Sequence, residues 1–400
     1  MKIRTPFWAL LLAGGMLLFS CSQDHVFYTI QYDKVLNKNA AVPGSPTKIV
    51  RLGDALYVGS NAVYGYKKDT LEEGWRRLPD QPGGKRVLML AGTEAGSGNY
   101  LYALVMPAGK SELSDAELYR KKPETEPEGP WERVGSSGFV IQSLHGAGDT
   151  LFLGVRSGGS SVLVYVDDSG GSPTLTQVPG VSGVLKAAAR YSGSTPGKYY
   201  AAIEGNGLLA AANTAGPYTA VSDKGNTPTN FEGLIQIEDS LIAVSRSGLI
   251  WQIDSGGAVT ASVATGGSLN GAVALWDEPD PEQDTNGGKP DLLLLGHAVS
   301  GGDSLSSYYY GYRELPITFS PETSTTPVLG GLLQQPGLPA LGASTSVSNY
   351  NPYYGTLGTH PVISLYQAPW GDPPVLFAST QQDGLWSCRQ GDDPKEWNVE

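Results

Sequence analysis

The sequence has 400 residues, and its 39 Asp and Glu outnumber its 27 Lys and Arg, so the formal net charge is −12 at pH 7. This acidic balance argues against non-specific nucleic-acid binding, which depends on basic side chains that neutralise phosphates. The 53 glycines and 28 prolines fall between short apolar runs, a distribution that indicates many turns and few helices.

The first 20 residues have the pattern of a secretory signal peptide. Lys2 and Arg4 make a positive start, and an apolar run follows from Phe7 to Phe19. A membrane span needs about 20 apolar residues, so this shorter run predicts a cleaved signal rather than an anchor. The run ends in Leu18-Phe19-Ser20-Cys21, which resembles the lipobox of bacterial lipoproteins.

This resemblance implies that cleavage occurs just before Cys21 and that its thiol carries a diacylglycerol. The mature chain is then held on a membrane by lipid, on the periplasmic side or at the cell surface. Ser22 stands where an aspartate would retain such a protein in the inner membrane, which favours the outer membrane. The alternative is an ordinary signal peptide followed by a cysteine with no such role. With Cys21 acylated, Cys388 has no partner for an intramolecular disulfide.

Residues 21–47 are predicted to be a tether with one strand-like segment, Val26–Tyr32. This segment precedes the repeated strand units, which begin at residue 48. Because closing a ring of sheets removes free strand edges, we expect this segment to pair with the last unit.

Residues 48–400 repeat one strand-and-turn unit. Gly53-Asp54-Ala55-Leu56-Tyr57 matches Gly148-Asp149-Thr150-Leu151-Phe152, and Glu238-Asp239-Ser240-Leu241-Ile242 is a third copy. Weaker copies begin at Asn99, Lys198, Asp291 and Pro374, which makes about seven in all. Most lie about 40 to 50 residues apart, a period typical of β-propeller blades.

Other strands recur in the same frame. Asn206-Gly207, Ser247-Gly248 and Asp383-Gly384 each precede an apolar run, as the turn of a hairpin would. Tryptophan opens a further short strand at Trp75, Trp131 and Trp397. We therefore predict an all-β fold, a β-propeller of about seven four-stranded blades. Paired β-sandwiches are the alternative architecture, but they do not explain a unit that returns in register.

One acidic loop has the residue types of a metal site. The segment 284–293 resembles the calcium loop of FG-GAP propeller repeats, with Asp284, Asn286 and Asp291 at matching positions. That resemblance implies oxygen ligands around a calcium ion. The loop is one residue short and lacks the middle aspartate, so the alternative is an acidic turn that leads into a buried strand. Apart from this calcium site, we predict no cofactor.

The segment from Leu315 to Leu357 is rich in Pro, Gly, Ser and Thr and is predicted to be a long loop inserted in the repeat. If it contains a blade, there are eight. Tyr350, Tyr353 and Tyr354 lie in it, and tyrosine is enriched at binding surfaces. Long loops on a rigid scaffold are often functional, so these tyrosines are the candidate contact surface for a protein or glycan partner.

The remaining reactive residues do not form a recognisable constellation. His25, His145, His297 and His360 are scattered with no ligand spacing and are interpreted as polar residues at strand ends, and Cys388 as a buried thiol. We therefore expect a lipid-anchored binding or scaffold protein of the cell envelope. The alternative is an enzyme that acts on envelope polysaccharide or peptidoglycan with carboxylates around the propeller channel.

Overall fold

A computed structural model shows that the regular secondary structure between Ala41 and Glu400 consists almost entirely of strands. The structure describes residues 40–400 except 83–85, 96–97, 124–128, 136–137, 168–171, 194–196, 224, 226, 266–268, 278–285, 287, 298–310, 332–356, 358–361, 369, 371–373, 382–383 and 390–396. The signal peptide, Cys21 and the strand-like segment Val26–Tyr32 therefore lie outside the described residues. In the described part, the helices are two short 3₁₀ turns, Lys68–Glu73 and Leu113–Asp115.

The strands form seven sheets of four antiparallel strands, each made of consecutive segments of the chain. The first three blades contain β1 (Val50–Leu52), β2 (Ala55–Gly59), β3 (Val63–Lys67), β4 (Arg76–Arg77); β5 (Arg86–Ala95), β6 (Gly98–Met106), β7 (Glu117–Lys121), β8 (Glu132–Val134); β9 (Val140–Ala147), β10 (Thr150–Ser157), β11 (Ser160–Asp167) and β12 (Thr174–Ser182). The fourth and fifth contain β13 (Leu185–Tyr191), β14 (Lys198–Ile203), β15 (Gly207–Ala211), β16 (Thr219–Ala220); β17 (Phe231–Ile237), β18 (Ser240–Ser245), β19 (Leu249–Ile253) and β20 (Val259–Ala264). The last two contain β21 (Leu269–Trp276), β22 (Leu292–His297), β23 (Tyr312–Thr318), β24 (Val328–Leu329); β25 (Val362–Ala368), β26 (Val375–Thr380), β27 (Leu385–Arg389) and β28 (Asn398–Val399).

The first strands of successive blades lie side by side, from β1 next to β5 through to β21 next to β25. This is a β-propeller with seven four-stranded blades, so the predicted fold class is confirmed. The alternative of eight blades is wrong, because the segment after residue 315 completes the sixth blade.

The repeated aspartates occupy equivalent places in three blades. Asp54, Asp149 and Asp239 each lie in the tight turn between the first and second strands. The glycine before the aspartate has positive φ in two of these turns, 52° at Gly53 and 61° at Gly148. The repeat therefore encodes a hairpin turn, because glycine adopts positive φ without a steric penalty.

The hydrophobic core lies between neighbouring blades, where second and third strands present buried side chains to the next sheet. The first and last blades share such a cluster, in which Phe377 packs edge-on against Tyr66 and Trp75 at centroid distances of 5.0 and 5.2 Å. The Tyr312 and Trp397 rings, 5.8 Å apart, join the sixth blade to the seventh. Apolar packing thus continues around the ring.

Contacts between the first and last blades close the ring. The backbone N–H of Ile49 donates to Ser364 Oγ at 3.0 Å. Farther out, the N–H of Val42 donates to the carbonyl of Glu400 at 3.3 Å, which places the start of the described chain beside its end.

The predicted loop at 315–357 starts too early. β23 continues to Thr318, and the short strand β24 pairs with it through Ile317 and Leu329. Pro316 concealed this strand in the sequence, because proline lacks the N–H of a ladder residue. Its carbonyl nevertheless accepts a hydrogen bond from the Gly330 N–H at 2.8 Å.

None of the helices in the described part of the chain has the length and apolar character that a membrane crossing requires.

Candidate functional site

A cavity of about 290 Å³ lies where the first strands of the blades converge. Every blade contributes to its wall. Representative lining residues are Val50, Ala91, His145, Ala187, Glu232, Ala272 and Tyr366. Ligand sites are typically concave and hold a few polar groups at fixed positions, so this cavity is the candidate functional site.

Glycines allow the first strands to approach one another closely around the cavity. A Cβ atom added to Gly146 would lie 1.7 Å from the carbonyl oxygen of Gly92 on the neighbouring blade. On the other side of the ring, a Cβ added to Gly233 would lie 2.8 Å from the Gly271 carbonyl oxygen. Only glycine permits this backbone contact, and the contact keeps the cavity small.

Two basic side chains and one carboxylate reach the cavity from three different blades. Lys48 stands two residues before β1, His145 lies on β9, and Glu232 lies on β17. Lys48 is exposed, whereas His145 and Glu232 are partly buried. Glu232 Oε1 lies 3.8 Å from the Arg246 guanidinium. The side chains of Lys48 and His145 make no hydrogen bond or ion pair with other described residues.

The protein around the cavity shifts the pKa of both basic groups. Burial lowers the pKa of Lys48, and the Glu232 carboxylate partly opposes this effect. Lys48 is exposed as a residue where it lines the cavity, yet the protein surrounds its amino group closely enough to disfavour the charge. Burial, and secondly the charge of Lys48, lowers the pKa of His145 well below its ordinary value of 6.5. His145 is therefore neutral at pH 7.

We expect His145 to make stability depend on pH. In the unfolded chain its imidazole takes up a proton near pH 6.5, whereas in the folded chain it does so only at lower pH. The stability that comes from keeping His145 neutral is therefore fully present above pH 6.5. It is lost as the pH falls from 6.5 towards the folded-state pKa, because the unfolded chain then binds the proton first. His145→Gln, which stays neutral, should lose less stability than the wild type over this range. Urea unfolding at a series of pH values measures the difference.

An NMR titration of the imidazole separates the causes of this shift. Lys48→Met should raise the pKa of His145 only in part, because burial is the larger cause and remains. If the free energy of unfolding changes equally with pH below 6.5 in the wild type and in His145→Gln, His145 is not the source of the pH dependence.

Sequence interpretation missed this cluster. The scattered histidines show no ligand spacing in the sequence, and neither Lys48 nor Glu232 lies in a recognisable motif. One signal points to it in retrospect: Gly92, Gly146 and Gly233 recur in first strands, and each follows a residue that lines the cavity. Among the described lining residues, Glu232 is the only carboxylate.

The predicted calcium loop is held by its own hydrogen bonds where it is described. The Asn286 side chain is buried, and its Nδ2 donates to Asp291 Oδ1, Pro290 O and Ile317 O at 2.9, 3.1 and 2.9 Å. A calcium ion would be bound by the amide oxygen of Asn286, Oδ1, whereas these three contacts involve only the amide nitrogen. Asp284 lies outside the described residues, so calcium binding at Asp284, Asn286 and Asp291 stays a prediction.

The other predicted site residues fall in two groups. Cys388 is buried on β27, as expected of a structural thiol. Tyr350, Tyr353, Tyr354, His25 and His360 lie outside the described residues, so the tyrosine contact surface stays a prediction.

No family model and no curated protein matches this chain. Among solved structures, a chain in a crystal structure of the mitotic checkpoint complex is similar, with a TM-score of 0.51 and 13% sequence identity. The similarity covers 86% of this chain and 87% of that one. At so low an identity the similarity shows the fold alone: the chain shares a β-propeller architecture with that protein.

Proposed function

We propose that this chain is a lipid-anchored binding or scaffold protein of the cell envelope. The central cavity carries this proposal, because a closed ring holds charged side chains of three blades at fixed positions around a concave space. A similar ring in a complex supports protein partners for this fold. A rigid scaffold of this kind binds through its cavity and through the loops it displays.

The rival function, a glycan-cleaving enzyme, needs two carboxylates that flank one bond. Glu232 alone supplies a carboxylate among the described residues of the cavity wall, and Arg246 lies beside it. The site therefore favours binding over acid–base cleavage.

The N-terminal sequence supports the anchor. A positive start, an apolar run and Ser20-Cys21 together favour lipidation at Cys21, and Ser22 in place of an aspartate favours the outer membrane. One acyl chain gives only marginal membrane binding, whereas a diacylglycerol supplies two chains and a stable anchor.

We expect Cys21→Ser to release the chain from the membrane. The full-length protein, expressed in a bacterium with lipoprotein processing, should sediment with membranes, and Cys21→Ser should appear in the soluble fraction. Cys388→Ser is the matched control, since it makes the same chemical change at a buried position of β27. It should stay with the membranes.

Mass spectrometry of the mature N-terminus supplies the second measurement. Two results would count against the anchor: an N-terminus other than an acylated Cys21, or equal membrane association of the wild type and Cys21→Ser.

A further inference from the structure

The central cavity contains hydrogen-bond donors that other described residues do not engage. The Lys48 ammonium carries three N–H donors, and the neutral His145 imidazole carries one. Both line the same cavity, and neither makes a hydrogen bond or ion pair with another described residue. Donors held in this way at one site match an anionic group such as a carboxylate.

An acceptor lies in the same cavity. Glu232 reaches it from the fifth blade, while Lys48 and His145 reach it from the first and third. Glu232 forms an ion pair with Arg246, whose guanidinium lies 3.8 Å from Oε1 and is mostly exposed. A contact of that length leaves the carboxylate able to accept a hydrogen bond from an ammonium group in the cavity.

The rest of the wall limits the size of a ligand. About 290 Å³ lies at the lower end of the range for small-molecule sites, roughly 300–1,000 Å³. Ala91, Ala187 and Ala272 provide small apolar surfaces between the charged groups. Gly146 and Gly92 are in such close backbone contact that a side chain at Gly146 would overlap the Gly92 carbonyl.

We propose that the central cavity binds a small zwitterion, an amino acid or dipeptide, with its carboxylate at Lys48 and His145 and its ammonium at Glu232. This inference rests on the proposed binding role and names the ligand class of that site. A dicarboxylate would meet Glu232, and a polyamine would meet Lys48, so the charge pattern selects a ligand with one group of each sign.

Calorimetric titration of the purified protein with free amino acids and with Ala-Ala tests the proposal. At least one of these zwitterions should bind at a single site. For Ala-Ala, acetylation of the amine or amidation of the carboxylate should each weaken binding at least about tenfold, because each removes one charged hydrogen bond.

Variants assign the two ends of the ligand. Lys48→Met should weaken the binding of the zwitterion at least about tenfold. It should also reduce the effect of amidating the ligand, since the ligand carboxylate has then lost its partner. Glu232→Gln should likewise weaken zwitterion binding at least about tenfold, and it should reduce the effect of acetylating the amine, because the ammonium has then lost its partner. The matched controls are Lys186→Met and Glu204→Gln, which break an ion pair of 3.1 Å on the fourth blade outside the cavity wall. Both controls should bind as the wild type does.

Three results would overturn the inference: no binding of any of these zwitterions, equal binding of the blocked forms, or unchanged binding by Lys48→Met and Glu232→Gln. The proposed function fails separately. If Cys21→Ser releases the chain from membranes but the wild type binds no zwitterion, the anchored scaffold role still holds and the cavity takes another ligand.

Discussion

Gly146→Ala is expected to be among the most damaging single substitutions in this protein. The added methyl would lie 1.7 Å from the Gly92 carbonyl oxygen and 2.8 Å from its carbon, and both are backbone atoms that cannot rotate away. Relief of that overlap requires two blades to separate at the centre of the ring. Overpacking typically costs about 1–3 kcal/mol, and we expect at least the upper end of that range here.

Gly135→Ala is the matched control for this substitution. Gly135 is exposed just after β8, and an added Cβ would meet nothing within 4 Å. Its effect should stay within about 0.5 kcal/mol. Urea unfolding measures both variants, with a lower midpoint and an unchanged slope expected for Gly146→Ala. Equal midpoints would show that the first strands do not approach as closely as the structure has them.

The second large effect concerns the contact that closes the ring. Phe377 on β26 of the seventh blade and Trp75 beside β4 of the first blade are both buried, with ring centroids 5.2 Å apart and planes at 83°. Truncation of either ring to alanine should lower the free energy of unfolding by about 3–5 kcal/mol. Because the rings touch, the double variant should lose less than the sum, with a coupling of about 0.5–3 kcal/mol.

Phe231 provides the control pair. It is equally buried but belongs to a cluster of the fourth and fifth blades. Phe231→Ala combined with Trp75→Ala should therefore be additive within about 0.5 kcal/mol. If a truncation prevents folding, Phe377→Leu with Trp75→Phe gives a milder cycle. Additive costs for Phe377 and Trp75 would mean that these two rings do not pack against each other.

The repeated blade could be predicted because its signals are local. Gly53-Asp54 and Gly148-Asp149 are hairpin turns with positive φ at glycine, and Gly207, Gly248 and Gly384 have φ of 78°, 81° and 87° before or within third strands. Turn chemistry of this kind acts over a few residues, so sequence alone reveals it. The period of the turns then predicts the number of blades.

The end of the sixth blade is harder to predict from the sequence than the repeated turns. The segment from Tyr312 to Leu329 mixes strand residues with Pro316, Pro321 and Pro327, a composition typical of loops. β23 and β24 form there because β22 supplies a template: Leu293 and Leu295 pair with Leu315 and Arg313. Pairing with a neighbouring strand is a tertiary effect that local propensity does not contain.

The cavity cluster was beyond sequence interpretation for a related reason. Lys48 and His145 are 97 residues apart along the chain, and His145 and Glu232 are 87 apart, so only the closed ring brings the three to one cavity. Each lies in an unremarkable local context. The glycine that follows His145 and Glu232 marks a close approach of strands, but the partner of that approach is set by the order of the blades.

A crystal structure of the mature chain tests the central claim most directly. We predict seven four-stranded blades in a ring closed between β1 and β25, with the Lys48 ammonium, the His145 imidazole and the Glu232 carboxylate facing one central cavity. A ring with a different number of blades, or these three side chains turned into the cores between blades, would contradict it.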